Sequence, residues 1–183
     1  MKPWLIAALA AALASPASAV ECGADKLGVA RTLKVGTQGG LEVGWKTYHA
    51  TLPLADHEVI LTFDDGPDPV YTPKILEALA AQCVRATFFA IGAKVDAAPE
   101  LAKREAQEGH NVAFHTYSHP QPTMRDMPEA VARADVIKGI AAVERAAYGQ
   151  TADDPAKLKL HAPFFRFPGF ADTADLREFF AAE

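Results

Sequence analysis

The sequence predicts one α/β domain built on parallel strands, and three observations carry that prediction. Apolar, β-rich runs at 59–63, 84–91 and 111–114 alternate with helical patterns over 72–83 and 99–108. Strand, helix, strand in succession makes neighbouring strands parallel through right-handed crossovers. Half of the residues are hydrophobic, 22% are charged and mean hydropathy is close to zero, which suits a single core. Finally, the runs deliver chemistry-bearing residues to their carboxyl ends, where parallel sheets build their sites.

Taken in order, residues 1–19 stand apart from the domain. Lys2 gives a positive start, 5–13 is an apolar run of Leu and Ala, and Ala17-Ser18-Ala19 is a small-residue cleavage site. This reads as a removed signal peptide, with mature protein from Val20 exported to the periplasm or secreted. The run is too short to span a bilayer, and no later stretch is long enough, so no membrane span is expected. Residues 20–56 contain Gly36, Gly39, Gly40 and Gly44 between short extended pieces and read as an irregular extension. Export changes the meaning of Cys22 and Cys83, the only two cysteines, because thiols in an oxidising compartment tend to pair. The chain has 18 basic and 23 acidic side chains, a formal net charge of −5, and loses Lys2 with its leader. With no basic block, nucleic acid and anionic membrane are not expected partners.

The domain proper, 57–183, begins with a run expected to be a strand buried on both faces. It ends in Asp64 and Asp65 and is stopped by Gly66-Pro67. Asp-Gly-Pro is also common turn chemistry, so the pair means little alone. Thr72 as N-cap and Pro73 at the first position open a helix ending near Cys83. A strand over 84–91 is closed by Gly92, Pro99 opens a helix that Gly109 stops, and 111–114 is a third strand. It leads to His115-Thr116-Tyr117-Ser118-His119-Pro120, where Pro120 disfavours a helix and implies a tight loop. Pro128 starts a long helix ending at Gly149, and 150–160 is a polar loop. Residues 162–169 read as a short strand carrying Arg166, and Asp172 or Thr173 caps a last helix through Phe180.

Parallel strands bring Asp64, Asp65, His115, His119 and Arg166 to one side of the sheet. Two imidazoles and a carboxylate make a three-ligand set for a divalent ion, with zinc the expected occupant. Arg166, in a Phe-rich stretch, needs an anionic partner, and Asp64 is the candidate. A phosphatase with an aspartyl nucleophile is the competing chemistry. It commonly wants a second acid two residues on, where this chain has Gly66, and it has no use for the histidine pair.

Thr62-Phe63-Asp64-Asp65-Gly66-Pro67 and the His115 to Pro120 segment resemble the first two signature motifs of the polysaccharide deacetylases, the NodB-homology or carbohydrate esterase family 4 enzymes. Phe165 to Gly169 is similar to the third, although Gly169 follows Pro168 directly where the family's glycine stands one position later. The resemblance implies a distorted (β/α) barrel. It also implies a metal-dependent hydrolase removing acetyl groups from N-acetylated or O-acetylated polysaccharides, acting on amide rather than peptide bonds. By position, Asp65, His115 and His119 bind the metal, and Asp64 is the catalytic base that deprotonates the attacking water. Arg166 orients that base, and a backbone N–H near Tyr117 to His119 receives the oxyanion. The family's later motifs, which supply an acetyl pocket and a histidine acid, have no counterpart before Glu183. The remaining histidines, His49, His57, His110 and His161, match no family position. A C-terminally truncated barrel is therefore expected, with a catalytically impaired metal- or glycan-binding fragment as the alternative.

Overall fold

Three parallel strands, β1 (Thr62–Gly66), β2 (Thr87–Ala90) and β3 (Asn111–Phe114), lie side by side in that order. The computed structural model describes residues 22–44, 47–121, 123–151 and 158–182, so the expected signal peptide lies outside them. Phe63 is level with Phe88, and Phe88 with Val112. All four residues of β2 are buried, as the central position requires. The 59–63 run is not buried as its composition predicts. Val59 is 79% exposed, and pairing begins only at Thr62. β1 has a neighbour on one side only in this sheet, and apolar composition does not distinguish an edge strand from a central one.

Among the described residues, five α-helices alternate with and follow these strands: α1 (Thr72–Ala81), α2 (Gly92–Ala97), α3 (Pro99–Gln107), α4 (Glu129–Tyr148) and α5 (Ala174–Ala182). Side chains alternate across a strand, which sorts the core into two faces. On one face Phe63 and Phe88 stack with centroids 5.2 Å apart and pack on Leu76 and Leu79 of α1. On that same face Ala90, Val112 and Phe114 meet Val95, Ala102 and Val143 of α2, α3 and α4. On the other face Phe89 and Ala113 are covered by Ala162 and Phe164. Leu76 is fully buried, so Leu76→Ala would cost about 2–5 kcal/mol.

Several local expectations shift. The N-cap of α1 is Tyr71 rather than Thr72, because Asp68 Oδ1 accepts the Val70 and Tyr71 N–H groups while Thr72 Oγ1 accepts that of Asp68. Gly92 begins α2 where it was expected only to end a strand. The segment 162–169 is not a strand but a single parallel bridge between Phe114 and Phe165, since Pro163 and Pro168 cannot donate to a ladder. α4 ends as expected, on Gly149 in the left-handed conformation at φ 71°. Thr173 Oγ1 accepts the Leu176 N–H at the start of α5.

The described part of 22–61 contains no helix or strand. It is fastened by side chains and by single backbone bonds such as Gly28 N–H to Gln82 O at 3.0 Å. Cys22 and Cys83 form the expected disulfide, with Cα atoms 6.0 Å apart, and Arg31 makes a two-bond pair with Glu58. Arg177 of α5 bonds Glu42 at 3.0 Å and also pairs with Asp172.

Candidate metal centre

The site begins with an irregularity in β1. Asp64 is level with Phe89 and Gly66 with Ala90, so Asp65 is left over, with φ at +67°. In a regular strand adjacent carboxylates point to opposite faces; a bulge re-aims one of them. The bulge therefore lets Asp64 and Asp65 serve the same side. Lys94 Nζ donates to the Asp65 carbonyl at 2.7 Å and holds the bulge from α2.

Opposite stands the loop after β3. His115 is only 3% exposed; its N–H donates to Ala90 O at 3.0 Å and its Nδ1 to Arg166 O at 2.6 Å. With Nδ1 donating, Nε2 carries the free lone pair of the neutral ring. Burial also holds the His115 pKa below its ordinary value, which favours that neutral form. His115 Nε2 and His119 Nε2 each lie 3.3 Å from Asp65 Oδ1, and all three donor atoms fall within 4.8 Å of one another. Ligands bound 2.0–2.1 Å from a tetrahedral ion stand about 3.3 Å apart, so the two Asp65–His spacings and the N,N,O donor types fit a small divalent ion.

Arg166 links the two halves. Its Nη1 donates to Asp64 Oδ1 at 2.7 Å and to Thr62 Oγ1 at 3.0 Å, its guanidinium lies 4.1 Å over the Phe89 ring, and its carbonyl holds His115. Its backbone is fixed by the bridge to Phe114, Arg166 N donating to Phe114 O at 3.0 Å. All five residues expected from the sequence thus meet at one end of the sheet. His110 does not join them: it is buried at the far end of β3, where its Nδ1 accepts the Ala86 N–H.

One expectation needs correction. The N–H groups of Tyr117 and Ser118 both donate to Asp135 Oδ2, at 3.1 and 3.2 Å, and that of His119 donates to Thr116 Oγ1. None of the three is turned toward an oxyanion. Asp135, midway along α4, carries no sequence signal of this contact, which forms across 17 to 18 residues.

The sequence profile of the polysaccharide deacetylases matches residues 52–175. The chain belongs to that family. A peptidoglycan-N-acetylglucosamine deacetylase of Bacillus cereus is 37% identical over 133 residues, covering 67% of this chain and 48% of the relative. A chitooligosaccharide deacetylase of Sinorhizobium fredii is 44% identical over 105 residues, covering 52% and 49%. In three dimensions the chain is similar to a peptidoglycan N-acetylglucosamine deacetylase crystallised with an N-oxidanyl-benzamide, at 37% identity and a TM-score of 0.59 over 68% of this chain and 52% of that one. The chain spans about half the length of the curated relatives it matches. Its parallel sheet with following helices is consistent with part of the family's (β/α) barrel. Deacetylases of the family are metal-dependent, and no helix among the described residues is long and apolar enough to cross a membrane.

Proposed function

We propose that the chain carries the metal centre and general base of a hydrolase that removes acetyl groups from N-acetylated, or O-acetylated, polysaccharides. One observation carries this reading: Asp65, His115 and His119 converge within 4.8 Å beside an Asp64 already paired with Arg166. Asp65, His115 and His119 would hold a divalent ion, Zn²⁺ by the donor types and spacing. Such an ion supplies Lewis acidity toward the acetyl carbonyl and lowers the pKa of water.

The chain's own groups divide the remaining work. Asp64 is the general base, and since Arg166 engages Oδ1, the proton passes to Oδ2. Arg166 keeps that carboxylate oriented, itself braced by Thr62 and by the face of Phe89. His115 is kept neutral and aimed by burial and by the Arg166 carbonyl. The substrate class follows from the relatives, one named for peptidoglycan and one for chitooligosaccharide, so an acetylated amino-sugar polymer is the natural choice. Export to the periplasm or medium belongs to the same reading, supported by the Cys22–Cys83 disulfide. Residues 57–183 are the deacetylase portion in this reading, with 20–56 as its extension.

The test is acetate release from acetylated chitooligosaccharides by the Zn²⁺-loaded chain. Release that stops on chelation is expected. Metal and glycan binding without release would overturn the enzymatic reading in favour of a binding module.

A further inference from the structure

We propose that Asp135, outside the ligand set, is a positioning residue that determines where His119 stands. The inference rests on the metal reading above. Of the four peptide units between His115 and His119, the middle two are each gripped at both ends. The Thr116 carbonyl accepts the Gly92 N–H at 2.9 Å, while the Tyr117 N–H of the same unit donates to Asp135 Oδ2 at 3.1 Å. The Tyr117 carbonyl accepts the Ala93 N–H at 2.9 Å, while the Ser118 N–H donates to Asp135 Oδ2 at 3.2 Å. A peptide unit's carbonyl and N–H point in opposite directions, so a clamp needs donors on one side and an acceptor on the other. The first turn of α2 supplies the donors. An ionised carboxylate is an acceptor only, and its charge strengthens both bonds, which makes Asp the fitting residue on α4.

The loop cannot hold this shape alone. Thr116 at φ +65° and His119 at +49° both occupy the left-handed region, which residues with a Cβ rarely adopt. The slot that receives it is shaped by two glycines. A Cβ at Gly139 would lie 2.5 Å from Thr116 C and 2.8 Å from Tyr117 N, and one at Gly92 would lie 2.9 Å from Gly139 Cα. Asp135 and Gly139 are four apart on α4 and so share a face: one side chain bonds the loop, and the missing one admits it. Lys138 closes the same side, with its Nζ 3.7 Å from the Tyr117 ring centroid.

The two histidines depend on this clamp unequally. His115 is fixed by β2 through Ala90 O and by Arg166 O, neither of which involves Asp135. His119 stands at the far end of the clamped units, and its N–H bonds only within the loop, to Thr116 Oγ1. Loss of Asp135 therefore falls on His119.

The experiment is a Zn²⁺ titration of the full chain, Asp135→Asn and Asp135→Ala, followed by ¹⁵N NMR of the imidazole nitrogens. Asn keeps the shape and one acceptor without the charge; Ala removes both. The account predicts Zn²⁺ affinity falling about 10–100-fold, further for Ala than for Asn, as for partners that orient ligands from outside the set. At a Zn²⁺ level that saturates the unchanged chain, the His115 Nε2 signal should shift in Asp135→Asn while that of His119 stays at its metal-free position. Unchanged affinity in both variants, or His115 and His119 responding identically, overturns the inference alone. Failure of the unchanged chain to take up Zn²⁺ overturns the metal reading and this inference with it.

Discussion

The two arms of the site are built in opposite ways. The histidine arm is the more enclosed: β2, α2, α4 and the Arg166 carbonyl grip its backbone and first ring, His115 is almost inaccessible and the His119 side chain is 27% exposed. The carboxylate arm sits on an edge strand, with the Asp65 side chain 58% exposed and the pair steadied by Arg166 and Lys94. Rigidity is concentrated on the ligands whose nitrogen lone pairs must be aimed. Access is concentrated on the carboxylates, where a proton must arrive and leave. The base and the ion-holding nitrogens should therefore fail separately.

The strongest test of that separation is Asp64→Asn. It should abolish acetate release, a loss of at least about 10²–10⁴-fold, while Zn²⁺ affinity stays within a few-fold of the unchanged chain. Retained turnover would remove Asp64 from the role of base. Gly139→Ala probes the enclosed arm from behind. Its methyl would press on the Thr116 backbone from 2.5 Å, so about 1–3 kcal/mol of stability should be lost together with much of the Zn²⁺ affinity. Thermal melts and Zn²⁺ titration would read both effects.

A pH effect concerns the scaffold behind the histidine arm. Glu105 of α3 is fully buried, neither of its oxygens has a hydrogen-bond partner, and desolvation pushes its pKa from 4.5 to about 8. Its native form thus holds a proton that the unfolded chain releases above about 4.5. Stability should fall as pH rises between about 4.5 and about 8, by at most about 1.4 kcal/mol per unit, and level off above. Glu105→Gln should flatten that slope. Melts at several pH values would check it, and parallel curves for the two proteins would contradict it.

Which of these features the sequence makes legible follows from their physics. Asp64, Asp65, His115 and His119 are readable because each lies within two short motifs at strand ends, and strand order alone brings such ends together. Arg166 is readable because a cation among Phe164, Phe165 and Phe167 demands an anion. Asp135, Gly92 and Gly139 are not readable, because their roles are contacts across the fold: a carboxylate and two missing Cβ atoms on helices facing a loop. The edge position of β1 is hidden for a related reason. Val59, Ile60 and Leu61 look like core residues, and the number of partners a strand has is set by topology rather than composition. Glu105 escapes notice because a Glu in a helix reads as a solvent-facing residue.

Calorimetric titration of the metal-free chain with Zn²⁺, with His119→Ala in parallel, decides whether Asp65, His115 and His119 form one ion-binding centre. One ion per unchanged chain and a loss of more than about 100-fold in affinity for His119→Ala are expected. No uptake by the unchanged chain, or equal uptake by both proteins, would contradict that centre.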